Sequence, residues 1–513
     1  MLKDIRMILK TICLIFGLLL LLSAISIGQI IFPPGNSIFD FDYLRQYRTG
    51  IIQNNWNLLP PSGPFTIRDF TQSSSLSSGA IQALNVVDEN EINFFAIGGE
   101  RYQANKSEHG QALPYIMGGF THRPGKNFGL VSHFVLDRVK ALDPDYTGKK
   151  YRGLAGNLET AVLSFENENV IAILGRTRLF WGPQRINLLL SSTAEPIDLL
   201  LAGYRRGRIN FQFLFARLDG SSPDSVDIMR LPDRTFEDNR YLAGHRLDIR
   251  LHKRLRVGLF ETVLYGGEGR PPELYYLNPL QFFHSAQLNE DSDDNTIIGG
   301  DFTFLPGKGF SVYGQLLIDD FQIDDKSQGD QEPNEIGLMA GLFRAGQTGS
   351  INPDIKAEYV RITNRTYHQR DPKNRYLFRN KLLGHPLGPD ADSISIKIRF
   401  WPSNNFFAEI ETAYRRRGEG SIFTPWDEPW LDAEGDYSEP FPTDIVEKSG
   451  LIAVRAQGYL PFSSYTKNHL FILLDAGLAD IENYQNQSGI NKTTSYFHIS
   501  LSWLGFTKLN IAE

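Results

Sequence analysis

The chain has 513 residues and a net charge of −7, from 52 Lys and Arg against 59 Asp and Glu, which excludes a strongly basic nucleic-acid binder. Aromatics make up 12% and there are 46 Gly and 27 Pro, a composition that favours strands and turns over coiled coils or long helical repeats. The only cysteine is Cys13, so no intramolecular disulfide can form, and no Cys-based zinc site or thiol nucleophile exists beyond the first residues.

Residues 1–28 read as a signal peptide: Lys3, Arg6 and Lys10 precede an uncharged run from Thr11 to Ile27, with the small residues Ser26 and Gly28 at its end. The run approaches the ~20 residues of a membrane helix, so an uncleaved anchor is the alternative. Cys13 stands at the start of the apolar run and not at a cleavage site, which argues against a lipoprotein. No later segment is long and apolar enough to span as a helix, so a membrane location requires a barrel.

Residues 29–90 form a separate N-terminal segment, irregular and marked by Pro33-Pro34, Pro60-Pro61 and a Ser-rich stretch from Ser73 to Ser78. One short helix is predicted, capped by Asp40 or Asp42, with Tyr43, Leu44 and Tyr47 on one face and Gly50 at its end. The segment is either a periplasmic linker or a small plug.

From Glu91 the apolar period becomes two. Ile209, Phe211, Phe213 and Phe215 alternate with Asn210 and Gln212, and Ile394, Ile396, Ile398 and Phe400 with Ser393, Ser395, Lys397 and Arg399. Eighteen strands are predicted, starting near Glu91, Leu113, Asn127, Leu158, Glu168, Ile197, Arg208, Ala243, Leu255, Thr296, Gly309, Glu335, Asn352, Asp392, Asn405, Glu447, Asn468 and Thr494. Tight turns such as Pro306-Gly-Lys-Gly alternate with long loops such as Asp137 to Asn157, Arg176 to Pro196, Tyr265 to Asn295 and Arg417 to Val446. A soluble sandwich shares the strand alternation but has no reason to sort its loops by length. The reading is therefore an all-β, transmembrane antiparallel barrel over residues 91–506 with a tail at 507–513, apolar face to lipid and polar face to the lumen. Lys397, Arg399, Asp248, Arg250 and His252 then point inward.

Four segments resemble the capsule-assembly Wzi family of outer-membrane barrels: Gly175-Arg176 with Phe180-Trp181-Gly182-Pro183; Leu274 to Phe283; Val312 to Phe321; and Gly384 to Asp390. The resemblance implies attachment or organisation of capsular or extracellular polysaccharide at the surface of a Gram-negative cell. It also implies a helical bundle near the barrel, where only one helix is evident here. The family's class of barrels commonly ends on an aromatic residue, whereas here Phe506 is followed by Thr507 to Glu513.

Aromatic faces for sugar rings, with Arg for uronate carboxylates, are the groups such a role needs. The candidates are Arg176, Trp181 and Arg185 in one long loop, Tyr275 and Asn278 in another, Asp319 and Asp320 where a strand enters a third, and Trp426 and Trp430 in a fourth. The bland alternative is that Trp181-Gly182-Pro183 shapes a turn while the arginines pair with Asp319, Asp320 or Glu261 to brace the lumen. Asp319 and Asp320 do not read as a glycosidase pair, because neighbours in a continuous strand point to opposite faces. Trp426 and Trp430 belong either to a glycan surface or to an ordinary loop over the mouth. Asp291-Ser-Asp-Asp294 lacks the glycine and downstream Glu of a calcium loop. Nucleotide, metalloprotease and serine-hydrolase motifs are missing from the sequence, so no catalytic residue, metal or cofactor is assigned and the chain reads as a non-enzyme. The expected partners are polysaccharide, outer-membrane lipid and the barrel-assembly machinery, with no nucleic acid. A porin or carbohydrate channel is the second functional reading.

Overall fold

The computed structural model describes residues 37–56, 59, 61–63, 91–105, 108–125, 127–146, 148–220, 238–290, 292–321, 331–433, 437–461 and 469–510. The leader with Cys13, the Ser-rich stretch and the last three residues lie outside them. Among the described residues eighteen antiparallel strands close into a barrel. They are β1 (Glu91–Asn105), β2 (Glu108–His122), β3 (Phe128–Asp137), β4 (Leu154–Glu166), β5 (Val170–Thr177) and β6 (Ile197–Arg206). Next come β7 (Ile209–Arg217), β8 (Asp238–His252), β9 (Leu255–Glu268), β10 (Asn295–Phe304), β11 (Phe310–Asp320) and β12 (Glu335–Arg344). The last six are β13 (Asp354–Ile362), β14 (Ala391–Ser403), β15 (Phe406–Arg417), β16 (Glu447–Pro461), β17 (His469–Glu482) and β18 (Lys492–Asn510).

Each pairs with its sequence neighbour, and β1 closes on β18 from Glu91↔Asn510 to Asn105↔Tyr496. Closure leaves no unpaired edge, which a wall immersed in hydrocarbon requires. β18 runs on to Asn510, four residues past the barrel boundary expected at Phe506, because Thr507 to Asn510 still pair with β1. The loops sort onto one rim and the turns onto the other, except that β1 and β2 are joined on the loop rim by a short connection.

The two faces differ in chemistry. Outward side chains are large and apolar, including Leu251, Leu259, Ile394, Ile410, Ile452 and Leu478. Phe94, Phe120, Phe128, Tyr204, Phe304 and Phe310 ring the outer face near the turn rim, the aromatic girdle of an interfacial zone. Inward side chains are charged and matched across strands. Arg246 lies between Asp248 and Asp301, 2.5 and 2.6 Å away, Lys397 is 3.0 Å from Glu411, Arg399 pairs with Glu409, and Arg455 is 2.6 Å from Asp475. Such groups persist inside a barrel because each has an opposite charge or polar partner in register.

The lumen is occupied. Helix α1 (Ser37–Gln53) lies across the turn rim, three residues longer than the sequence expectation of an end at Gly50. Its Phe41 is enclosed by Trp401, Phe407, Tyr459 and Phe471 with ring centroids 5.4–5.9 Å away. Arg48 donates to Asp354 at 3.0 Å, Tyr459 to Asp42 at 2.9 Å, and Trp56 to the Lys253 carbonyl at 2.8 Å, so the segment touches opposite sides of the barrel. Residues Ser62 and Gly63 then pair antiparallel with Trp181 and Phe180.

Candidate functional site

The long loop after β5 turns inward. Leu179, Phe180, Trp181, Leu188, Leu189 and Leu190 are all buried in the luminal core, and Trp181 is 0% exposed. The loop is pinned by Gln315 of β11, which donates to the Trp181 carbonyl at 3.2 Å and accepts from Leu188 N at 2.6 Å. Arg185 pairs with Asp40 of α1 and Arg176 with Asp198, in place of the Asp319, Asp320 or Glu261 anticipated as bracing partners. Trp181 therefore presents no face to a sugar, and Arg185 is spent on holding α1.

The loop after β13 folds over this one. Arg240 of β8 donates to the carbonyls of Lys373 and Arg375, both at 2.7 Å, and Ser191 N to the Leu383 carbonyl at 2.8 Å. Gly384 sits so close to its neighbours that a Cβ there would lie 2.3 Å from the Leu188 carbonyl oxygen. This explains the glycine that opens the Gly384 to Asp390 segment. Asp319 accepts from Tyr367 N at 2.5 Å, and the β11–β12 register shifts between Ile318 and Asp320. The strand continuity on which the glycosidase pair was set aside is thus interrupted by a bulge. One carboxylate is turned onto the inserted loop, and Asp320 lies opposite Glu335.

The loop after β9 goes to neither place. It folds back over the outer wall, and Glu261 of β9 accepts from Phe283 N at 3.0 Å and His284 N at 2.9 Å at the start of helix α2 (Phe283–Glu290). Tyr275 and Asn278 belong to this outer segment, with the Tyr275 ring edge-on to Tyr276 at 4.4 Å and Asn278 accepting from Leu280 N. Both lie in the long loop that the sequence reading gave them, but on the outer wall and away from the mouth. Asp294 is buried and bound to Arg270 at 2.5 Å and Tyr276 at 2.8 Å, which uses the acidic run as an anchor.

Two clefts open at the loop rim. The first, about 300 Å³, lies between the loops after β13 and β15 and is lined by Arg365, His368, Trp426, Asp427, Tyr437 and Glu439 among others. Trp426 is half-buried and Trp430 buried, 6.4 Å apart and nearly perpendicular. The Arg365 guanidinium stands 4.7 Å over the Trp430 ring and donates to Glu439 at 2.7 Å and Asp427 at 3.1 Å. Burial opposes the charge on Arg365, but these two carboxylates more than offset it and hold it cationic. His368 is tilted 5.3 Å from Trp426, and its Nε2 meets the Thr424 carbonyl at 2.8 Å. Burial pushes the imidazole down to about 4, with Arg375 and Arg365 acting in the same direction, so it is neutral at pH 7. Asp390, itself raised by burial, ties the two loops by accepting from Thr443 N at 3.0 Å and Gly420 N at 2.9 Å. Arg365, His368 and Glu439 carry no motif, and only the fold brings them to Trp426.

The second cleft, about 260 Å³, gathers Lys140, Lys149, Arg176, Arg379 and Lys381 against Asp143, Asp145 and Glu195, with Tyr146 in its wall. With Asp198 paired to Arg176, Glu195 to Lys140, and Asp143 and Asp145 to Lys381, five cations face four carboxylates, a small excess that favours an anion. A sequence model for the capsule assembly protein Wzi matches residues 102–493, three quarters of the chain.

The chain belongs to the Wzi capsule-assembly family.

It is accordingly an outer-membrane barrel of a Gram-negative cell, with its loops outside and its turns in the periplasm. Among solved structures it is similar to Wzi of Escherichia coli, described as an outer-membrane protein involved in group 1 capsule assembly and a carbohydrate-binding β-barrel. That likeness has TM-score 0.56 and 14% identity, and covers 92% of this chain and 99% of that one. OccD3 of Pseudomonas aeruginosa follows with TM-score 0.47 and 10% identity, covering 82% and 92%. No curated protein sequence matches the chain significantly.

Proposed function

We propose that this Wzi-family barrel works as a surface lectin, holding capsular or extracellular polysaccharide through its extracellular loops without making or breaking a bond. The observation that carries this is the first cleft. There a half-buried tryptophan, a fixed arginine and two carboxylates line a polar hollow on the outer mouth, the groups that stack on sugar C–H faces and bind hydroxyls. The cationic second cleft suits uronate or other acidic residues of the same chain. Sites of modest strength gain by engaging many repeats at once. The description of E. coli Wzi as a carbohydrate-binding β-barrel involved in group 1 capsule assembly is consistent with the reading.

The filled lumen favours attachment over conduction: α1, residues 61–63 and the loops after β5 and β13 occupy the space an eighteen-stranded porin would leave open. We infer further that the leader at 1–28 directs export and that the barrel-assembly machinery inserts the chain. The test is polysaccharide partition between cells and medium in a deletion strain complemented with wild type or Trp426→Ala with Arg365→Ala. Release of otherwise normal polymer by the variant, at normal barrel levels, supports the lectin. Unchanged retention removes it, and single-channel conductance then decides whether the barrel is a pore.

A further inference from the structure

The outer wall carries a feature that glycan binding does not use. Beneath the segment Pro279–Phe282 lies a groove of about 990 Å³ on the lipid-facing side of β8 to β12. Its walls are the outward side chains Leu247, Val257, Leu259, Phe302, Leu316 and Leu338. Its depth comes from the small outward residues Gly300, which lies between Leu259 and Leu316 on the neighbouring strands, and Ala340, while the Phe302 ring lies over Gly314.

The roof over this groove is built into hydrocarbon. Glu261 stands midway along β9 on the outward face, where an unpaired charge is costly. It is met by the first two N–H groups of α2 and by His245 Nε2 at 3.1 Å. Phe283 covers His245 with ring centroids 4.7 Å apart. The roof then turns apolar side chains away from the barrel: Leu280 is 85% and Leu274 83% exposed. In water this would be an unfavourable surface, whereas in acyl chains it is matched. The segment thus fills the extracellular half of the apolar band at this sector and leaves the groove open below it, towards the periplasmic rim.

The rim below the groove is cationic. Lys253 and Arg254 in the β8–β9 turn and Lys308 in the β10–β11 turn are exposed, and Arg254 spans the two turns by donating to the Pro306 carbonyl at 2.9 Å. An apolar groove ending under a roof, with cations on the rim below it, has the two-part chemistry of a phospholipid: an acyl chain and an anionic phosphate.

We propose that this groove is a binding site for a phospholipid of the periplasmic leaflet, with one acyl chain lying over Gly300, Phe302 and Ala340 and its phosphate at Lys253, Arg254 and Lys308. The site orders lipid beside the sector where the loop after β9 enters the membrane, and so seats that loop.

The test is native mass spectrometry of the full chain extracted in mild detergent, with lipid identification of what stays bound. Wild type is expected to retain phospholipid. Ala340→Trp, whose side chain enters the groove from an open outward position, and Gly300→Leu are expected to lose it while keeping heat-modifiable gel mobility. Should Gly300→Leu fail to fold, Ala340→Trp carries the test by itself. The triple variant Lys253→Glu, Arg254→Glu, Lys308→Glu is expected to lose retention of anionic phospholipid. Wild type carrying no lipid, or only lipopolysaccharide, overturns the proposal. So does a folded Ala340→Trp that retains phospholipid as wild type does.

Discussion

Two tryptophan loops of this barrel have the same ingredients and opposite fates. The loop around Trp181 and the loop around Trp426 each combine tryptophan, proline and arginine neighbours. The first is swallowed by the lumen, where Trp181 backs onto Gly244 and pairs with Ser62, whereas the second stays at the mouth with Trp426 half-buried. The difference lies in their partners. The Trp181 loop is matched by a polar inner wall at Gln315, by the N-terminal segment and by the loop after β13, all of which satisfy its backbone. The Trp426 loop is tied near its ends by Asp390 and beside Trp426 by Arg365 and His368, and it keeps Trp426 half-buried and the Asp427 carboxylate exposed. A shared residue vocabulary therefore yields a brace in one place and a docking surface in the other.

The comparison can be broken most forcefully at its buried end. Trp181→Ala is expected to cost about 3–5 kcal/mol, as for large-to-small changes in packed cores. It should appear as loss of heat-resistant folded mobility or a lower unfolding temperature, with glycan binding per folded molecule unchanged. Glycan binding lost at wild-type stability would instead return Trp181 to the site.

Phe41→Ala removes the anchor of α1 at the periplasmic mouth. The expected result is larger and noisier single-channel conductance than wild type in planar bilayers. Identical, near-silent traces would mean that the inward loops close the lumen without the helix.

On the outer wall, Glu261→Ala leaves two helix N–H groups without their acceptor, at a cost of about 1–3 kcal/mol. Protease sensitivity between residues 270 and 290 should rise while the barrel stays intact. Unaltered cleavage would show that the roof is held by the Arg270–Asp294 anchor alone.

At the exposed end, Trp426→Ala should weaken polysaccharide co-sedimentation about tenfold, on the scale of a lost aromatic stack of 1–3 kcal/mol, with no change in gel mobility. Loss of folding there would make it a second brace.

The smallest effect is one of pH. His368 has its folded value lowered to about 4 from an ordinary 6.5, so its contribution is fully present above 6.5 and is lost as pH falls towards 4. Trp426 fluorescence should respond as pH falls to about 4, where the folded imidazole takes up its proton, and His368→Gln should flatten the response. His385 in the same loop is also lowered to about 4, so any response remaining in the variant reports on it.

Strand number, alternation and loop sorting were legible because each is local: period two, turn residues and spacing repeat along the chain whatever it packs against. The inward charges at Lys397, Arg399 and Asp248 were legible for the same reason, since parity in a strand assigns a face. Phe213 was assigned outward on that rule and is outward, yet it is buried beneath the segment from Tyr276 to Phe283 and meets protein in place of lipid.

Loops follow no such rule. Whether a loop enters the lumen, lies on the outer wall or stands at the mouth depends on partners hundreds of residues away: Asp40 for Arg185, Lys373 for Arg240, Glu439 for Arg365. By itself the sequence determined the barrel, its facing and its family, because periodicity and motif order are written along one dimension. Which tryptophan is a brace and which a surface was decided only by the tertiary structure, because burial is a property of what surrounds a side chain and not of its neighbours in the chain.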